Sequence, residues 1–156
     1  MHAVPWYIVI VISIPQTLLI MGLGFRLFNL PLNIQSFVVA PILVAIASYL
    51  FRFFHISYAI NIILLLLIAG LALTVLVKHR FAFCLISLLL GFIIYMVLEM
   101  MSIAAFLVIT GLNYDILIIN AIWNIGMFIP IAIINALLWI LVVRYNIILF
   151  DLSRQG

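Results

Sequence analysis

The chain has 156 residues, of which 71% are hydrophobic and 6% charged, with a formal net charge of +3 and a mean hydropathy of +1.59. Soluble domains devote about a quarter of their residues to charge. The nine charged side chains here cannot cover a water-facing surface, which excludes a soluble enzyme, a nucleic-acid-binding domain and a disordered tail, and leaves an integral membrane protein.

Five apolar stretches are predicted in chain order. The first runs over residues 5–24 and stops at Arg26. It follows Met1-His2-Ala3-Val4-Pro5, which has neither a basic n-region nor a small-residue cleavage pattern, so it is expected to be a retained span and not a signal peptide. A Pro- and Asn-containing link (Phe28 to Asn33) precedes the second, at 34–51, which stops at Arg52. The third occupies 56–77, 22 residues without a charge. Lys78-His79-Arg80 separates it from the fourth, at 81–110, which only Glu99 interrupts. After a turn at Gly111-Leu112-Asn113-Tyr114-Asp115, the fifth runs over 116–143.

A helix needs about 20 residues to cross a ~30 Å hydrocarbon core, and these runs lack the ~10-residue alternation of a transmembrane barrel. The expected fold is therefore all-α: one transmembrane domain over 1–156, a bundle of five membrane-spanning helices without a soluble domain. The fourth and fifth spans exceed the minimum length and must tilt, kink or emerge. Orientation follows from the links. Arg26, Lys78, Arg80, Arg144 and Arg154 fall on one face and Arg52 alone on the other, which places the N-terminus outside and the C-terminus in the cytoplasm. Trp6 and Tyr7 suit the outer interface and Tyr145 the inner one. The expected location is a multi-pass position in a cell membrane.

Ionisable residues at membrane depth are expensive, so Glu99 is by default a site candidate. At ~1.5 Å per residue from Phe81 it reaches about 27 Å, close to the outer interface. Ser87, Gly91, Tyr95, Glu99 and Ser102 share a helical face that should turn toward protein. On the fifth span Asn120, Asn124 and Asn135 share another, with the first two near the depth of Glu99. Pro130, between Asn124 and Asn135, removes a donor and should kink that helix. Arg52 and His55 are the cationic or donor groups nearest Glu99 in level. Gln16, next to Pro15, lies near the middle of the first span. The plainer alternative is structural: interhelical Asn, Gln and Ser act as glue, Pro15, Pro41 and Pro130 bend helices, and Glu99 reaches water or pairs with Arg52.

Three constellations fail. Gly22-Leu23-Gly24 lacks the remaining glycines and the lysine of a phosphate loop. His2, His55 and His79 fall in different loops and two compartments, so no metal set is expected. His79 and Cys84 are five apart, ~140° around a helix, and would not face each other as a thiol peptidase pair. The single cysteine also excludes an internal disulfide. The chain is expected to be no enzyme and to hold no cofactor.

Ser13-Ile14-Pro15-Gln16-Thr17-Leu18-Leu19 with Gly24-Phe25-Arg26-Leu27 is similar to the opening span of the multi-helix membrane regions that precede Spo0B-type or GHKL sensor histidine kinases of spore-forming Firmicutes. Tyr49-Leu50-Phe51-Arg52 with His55-Ile56 resembles the end of the second. Leu90-Gly91-Phe92 through Leu98-Glu99, then Leu107 to Leu112, resembles the fourth. Arg144-Tyr145-Asn146-Ile147-Ile148-Leu149-Phe150-Asp151 resembles the cytoplasmic exit. Gln16 stands where a Glu often follows the Ile-Pro of that first span. No histidine-phosphorylation helix or ATP-binding domain is present in these residues. The resemblance thus implies a stand-alone relative of such a sensor or the membrane part of a longer protein, in a bacterial cytoplasmic membrane.

The leading expectation is a sensor or signal-transducing membrane module that reads a ligand or bilayer state in its outer half, among Arg52, Glu99, Asn120 and Asn124. Its signal would pass along the fifth span, with Pro130 as a two-state element, to a cytoplasmic histidine kinase or response-regulator system. A small solute-binding transporter subunit and a structural membrane partner are the alternatives. The lipid bilayer is the expected surrounding, nucleic acid is not a partner, and self-association into a homo-oligomer is left open.

Overall fold

The computed structural model describes residues 6–54, 57–111 and 121–152. Within them the chain is helical, with no strand: α1 (Trp6–Leu27), α2 (Ile34–Phe53), α3 (Tyr58–Val77), α4 (Phe81–Thr110) and α5 (Ala121–Arg144). Four stretches are long and apolar enough to cross a bilayer: Ile34–Phe51, Ala59–Val77, Phe81–Thr110 and Gly126–Arg144. Val11–Leu27 of α1 is a shorter apolar one. Only 17–33% of those four stretches is buried inside the bundle. Their outward faces carry Ile63, Val75, Ile93, Val97, Ile133 and Leu137, all exposed. A surface so continuously apolar is stable against lipid and not against water.

α1 and α4 form the centre. α2 packs on α1, α3 packs on α2 and α4, and α5 lies on the other side against both α1 and α4. The central pair is tight because its contact is built from small residues. Gly24 of α1 meets the Ser87 carbonyl of α4, Gly91 of α4 meets the Ile20 carbonyl of α1, and an added Cβ would fall 2.0 Å and 2.2 Å from those oxygens. This is the close-approach mode of membrane helices, where dispersion between backbones replaces the hydrophobic drive. Met21, Phe25, Leu73, Leu88 and Tyr95 fill the core around it.

Three of the helix ends are set by asparagine. α1 runs through Arg26, the expected stop, to Leu27 and is closed by Asn29, which adopts φ 54°. The Asn29 N–H donates to Arg26 O at 3.1 Å and the Leu30 N–H to Phe25 O at 2.9 Å. α5 closes identically: Asn146 has φ 53°, its N–H donates to Val143 O at 3.4 Å, and that of Ile147 donates to Val142 O at 3.1 Å. Both are Schellman closures, with Asn in the left-handed position it tolerates best after glycine. The Arg26 guanidinium donates to Asn146 Oδ1, which joins the two closures. At the start of α2, Asn33 Oδ1 accepts from the Ser36 N–H at 2.7 Å as an N-cap. Its Nδ2 donates to Leu76 O at 3.1 Å, which ties α2 to the end of α3.

These links gather one end of the bundle. Arg26, Lys78, Arg80 and Arg144 lie there, at or beside the ends of α1, α3, α4 and α5. Residues 145–152 then fold back beneath α1. The Leu149 N–H donates to Leu27 O at 2.8 Å and the Leu152 N–H to Phe28 O at 3.1 Å, while Asn29 Nδ2 donates to Asp151 Oδ1 at 3.1 Å. Leu152 is buried in the main core cluster with Phe25 and Leu30.

Candidate functional site

A cavity of about 130 Å³ lies between α1, α2, α3 and α4. Its polar side chains are Ser13, Gln16 and Thr17 from α1, Ser48 from α2 and Asn61 from α3. Ile20, Leu65, Leu66, Leu88 and Phe92 make its apolar walls, and among the described residues no charged side chain lines it. Ser48, Thr17 and Asn61 are all buried. Thr17 Oγ1 donates to Ser13 O at 2.7 Å, a bond within α1 just beyond Pro15. Asn61 is 7% exposed, and no donor among the described residues reaches its Oδ1. A buried amide oxygen without a partner costs about 1–3 kcal/mol.

The predicted site residues are distributed unevenly around this cavity. Gln16 lines it. Glu99 lies on α4, half-buried, three residues beyond the lining residue Met96. Of its predicted stripe, Ser87, Gly91 and Tyr95 are buried, and Ser102 is half-buried like Glu99. Pro15 lies inside α1, and Pro130 lies inside α5 with its ring exposed on the outer side. Asn135 is 2% exposed, and its Nδ2 donates at 2.9 Å to Ile131 O of its own helix. Arg52 and Asn124 are helical positions in α2 and α5 whose side chains lie outside the described residues, as do His55 and Asn120 altogether.

Sequence reasoning missed Ser13, Thr17, Ser48 and above all Asn61. A signal was present: Asn61 carries the one side-chain amide of α3, in a helix otherwise built from apolar and small residues. No second amide stands at helical spacing from it on α3, so no polar stripe marks it in the sequence. In an interior of low dielectric, an unpaired neutral amide is as informative as a carboxylate.

The described residues thus define an all-helical bundle of membrane type with a small, partly polar cavity. No protein-family model, curated protein or solved structure matches the chain.

Proposed function

We propose that the chain is a multi-pass membrane signalling module in which α1 couples the cavity to the folded-back tail. All five helices span the bilayer, with the N-terminus outside and residues 145–152 at the cytoplasmic face of a bacterial membrane. What supports this reading above all is the double duty of α1. Its first half lines the cavity through Ser13, Gln16 and Thr17, and its last turn and the link after it hold the tail through Leu27 O, Phe28 O and Asn29. Between them, Gly24 and Gly91 interlock α1 with α4 so closely that α1 cannot shift without a discrete repacking. A ligand that favours one arrangement would therefore change how firmly the tail is held. The cytoplasmic partner, after the family resemblance, is a histidine kinase or response-regulator system.

Two measurements test this. Ser48→Leu fills the cavity and Gln16→Leu removes an amide from it. In detergent-solubilised protein, each is expected to change hydrogen exchange of the Leu149 and Leu152 amides by about fivefold or more, the lower end of ordinary site-to-site coupling. Unchanged exchange in both removes the coupling. For topology, Cys84 is buried, so single cysteines can be added to the natural background. In intact cells, membrane-impermeant thiol reagents are expected to reach Phe54→Cys and to miss both His79→Cys and Gly156→Cys. Opposite behaviour of the latter two would dismantle the five-span arrangement.

A further inference from the structure

We infer that residues 145–150 lie as a strip in the headgroup region of an anionic leaflet, with Arg26 and Arg144 on lipid phosphates. This deepens the signalling reading by naming what the tail touches besides α1, and rests on its placement of this end of the bundle at the membrane face. Height is the first observation. Gly126–Arg144 is 19 residues, about 28 Å of helix, so it ends where a hydrocarbon core of about 30 Å ends. Five extended residues beyond Arg144 could carry the chain about 17 Å into the cytosol. Instead the Leu149 N–H is bonded to Leu27 O at the end of α1, and Leu152 returns to the core with Phe25. The strip therefore runs along the helix ends, at the level where headgroups begin.

Its surface is of the kind that lipid covers. Tyr145, Ile147, Ile148, Leu149 and Phe150 are 41–68% exposed and continue the apolar outer side of α5, where Ile140, Leu141 and Val143 are exposed. The backbone suits the same place. The N–H groups of Tyr145, Asn146, Ile147, Leu149 and Leu152 all donate to carbonyls within the protein, so few are left to draw the strip into water. Charge names the lipid. Arg26, Lys78, Arg80 and Arg144 lie at this end, with Asp151 the one acidic side chain there among the described residues. The Arg26 guanidinium donates to the Asn146 amide oxygen, which bonds it without neutralising it, and Arg144 is exposed two positions before Asn146. Guanidinium groups beside an apolar strip match a phosphate above acyl chains. Each basic side chain near an anionic leaflet favours the bound arrangement by about fivefold.

The test uses the full chain with a nitroxide on Leu149→Cys; Cys84 is buried and stays unlabelled. The protein is reconstituted into phosphatidylcholine vesicles, alone or with about a third phosphatidylglycerol to supply the anionic surface. Oxygen concentrates in lipid and a neutral nickel chelate in water, so the ratio of their effects on spin relaxation reads depth. At Leu149 the ratio is expected to favour oxygen, between the values for free nitroxide in buffer and for Ile133→Cys, exposed midway along α5. Phosphatidylglycerol is expected to lower the nickel effect at Leu149 by about fivefold. Arg144→Gln, at an exposed position, should lose most of that response. A ratio equal to that in buffer in both vesicles overturns the inference and leaves the strip to a soluble protein partner. Equal depth with and without phosphatidylglycerol overturns the choice of anionic lipid, and an undiminished response in Arg144→Gln overturns the phosphate's place. The thiol reagents above read which side of the membrane this end occupies, and the cavity variants read coupling. Neither reads depth, so either can fail while Leu149 lies in lipid, and the reverse.

Discussion

Gly91→Ala and Gly24→Ala are each expected to cost the bundle about 3 kcal/mol or more, at or above the upper end of ordinary overpacking. The new methyl group would stand 2.2 Å from the Ile20 carbonyl oxygen in the first case and 2.0 Å from that of Ser87 in the second. Neither obstacle is a side chain that can rotate away. Both are backbone atoms of a facing helix, so α1 and α4 must separate along the contact, and every dispersion contact between them weakens together. Gly126→Ala is the matched control. Gly126 lies in α5 with nothing within 4 Å of an added Cβ, and there the change should be neutral or favourable by about 0.5–1 kcal/mol through backbone entropy. Thermal unfolding in detergent checks all three. A Gly91→Ala protein as stable as Gly126→Ala would show that the central helices do not meet as described.

Much of this arrangement was legible because burial in a lipid-facing bundle follows size as well as polarity. The stripe Ser87, Gly91, Tyr95 could be assigned inward from spacing alone, and it is buried. The end of α4 at Thr110 coincides with the predicted limit of the fourth span, where Gly111 turns left-handed. Other features needed three dimensions. Arg26 reads as a stop signal, yet α1 continues past it, because a long side chain can lie beyond the helix end and donate to Asn146, 120 positions away. The Asn29 and Asn146 closures follow one rule, but nothing in one dimension says that they stand side by side. The cavity is the clearest case. Glu99, the most conspicuous residue in the sequence, does not line it, whereas four helices each bring an unremarkable segment, and only their convergence makes Asn61 exceptional.

Leu152→Ala is expected to release the tail without unfolding the bundle. Leu152 is 6% exposed and sits in the core cluster with Phe25 and Leu30, so truncating it removes apolar contacts worth about 2 kcal/mol at the low end for a leucine. Its neighbours offer little to compensate, since Ile147, Ile148, Leu149 and Phe150 are all exposed. What remains includes three backbone hydrogen bonds, from Leu149 and Phe150 to Leu27 O and from Leu152 to Phe28 O, and the Asn29–Asp151 and Arg26–Asn146 bonds, each contributing about 1 kcal/mol in net terms. A loss of about 2 kcal/mol from this local equilibrium accelerates exchange of the Leu149 and Leu152 amides by about 30-fold. The helix amides of α1 and α4 should exchange as before, because the Gly24–Gly91 contact does not depend on the tail. Hydrogen exchange read by mass spectrometry over 147–152 separates the outcomes. Acceleration confined to the tail fits an element that α1 can hold or release. Equal acceleration throughout the bundle would make the tail part of the core itself, and it could then carry no separate signal.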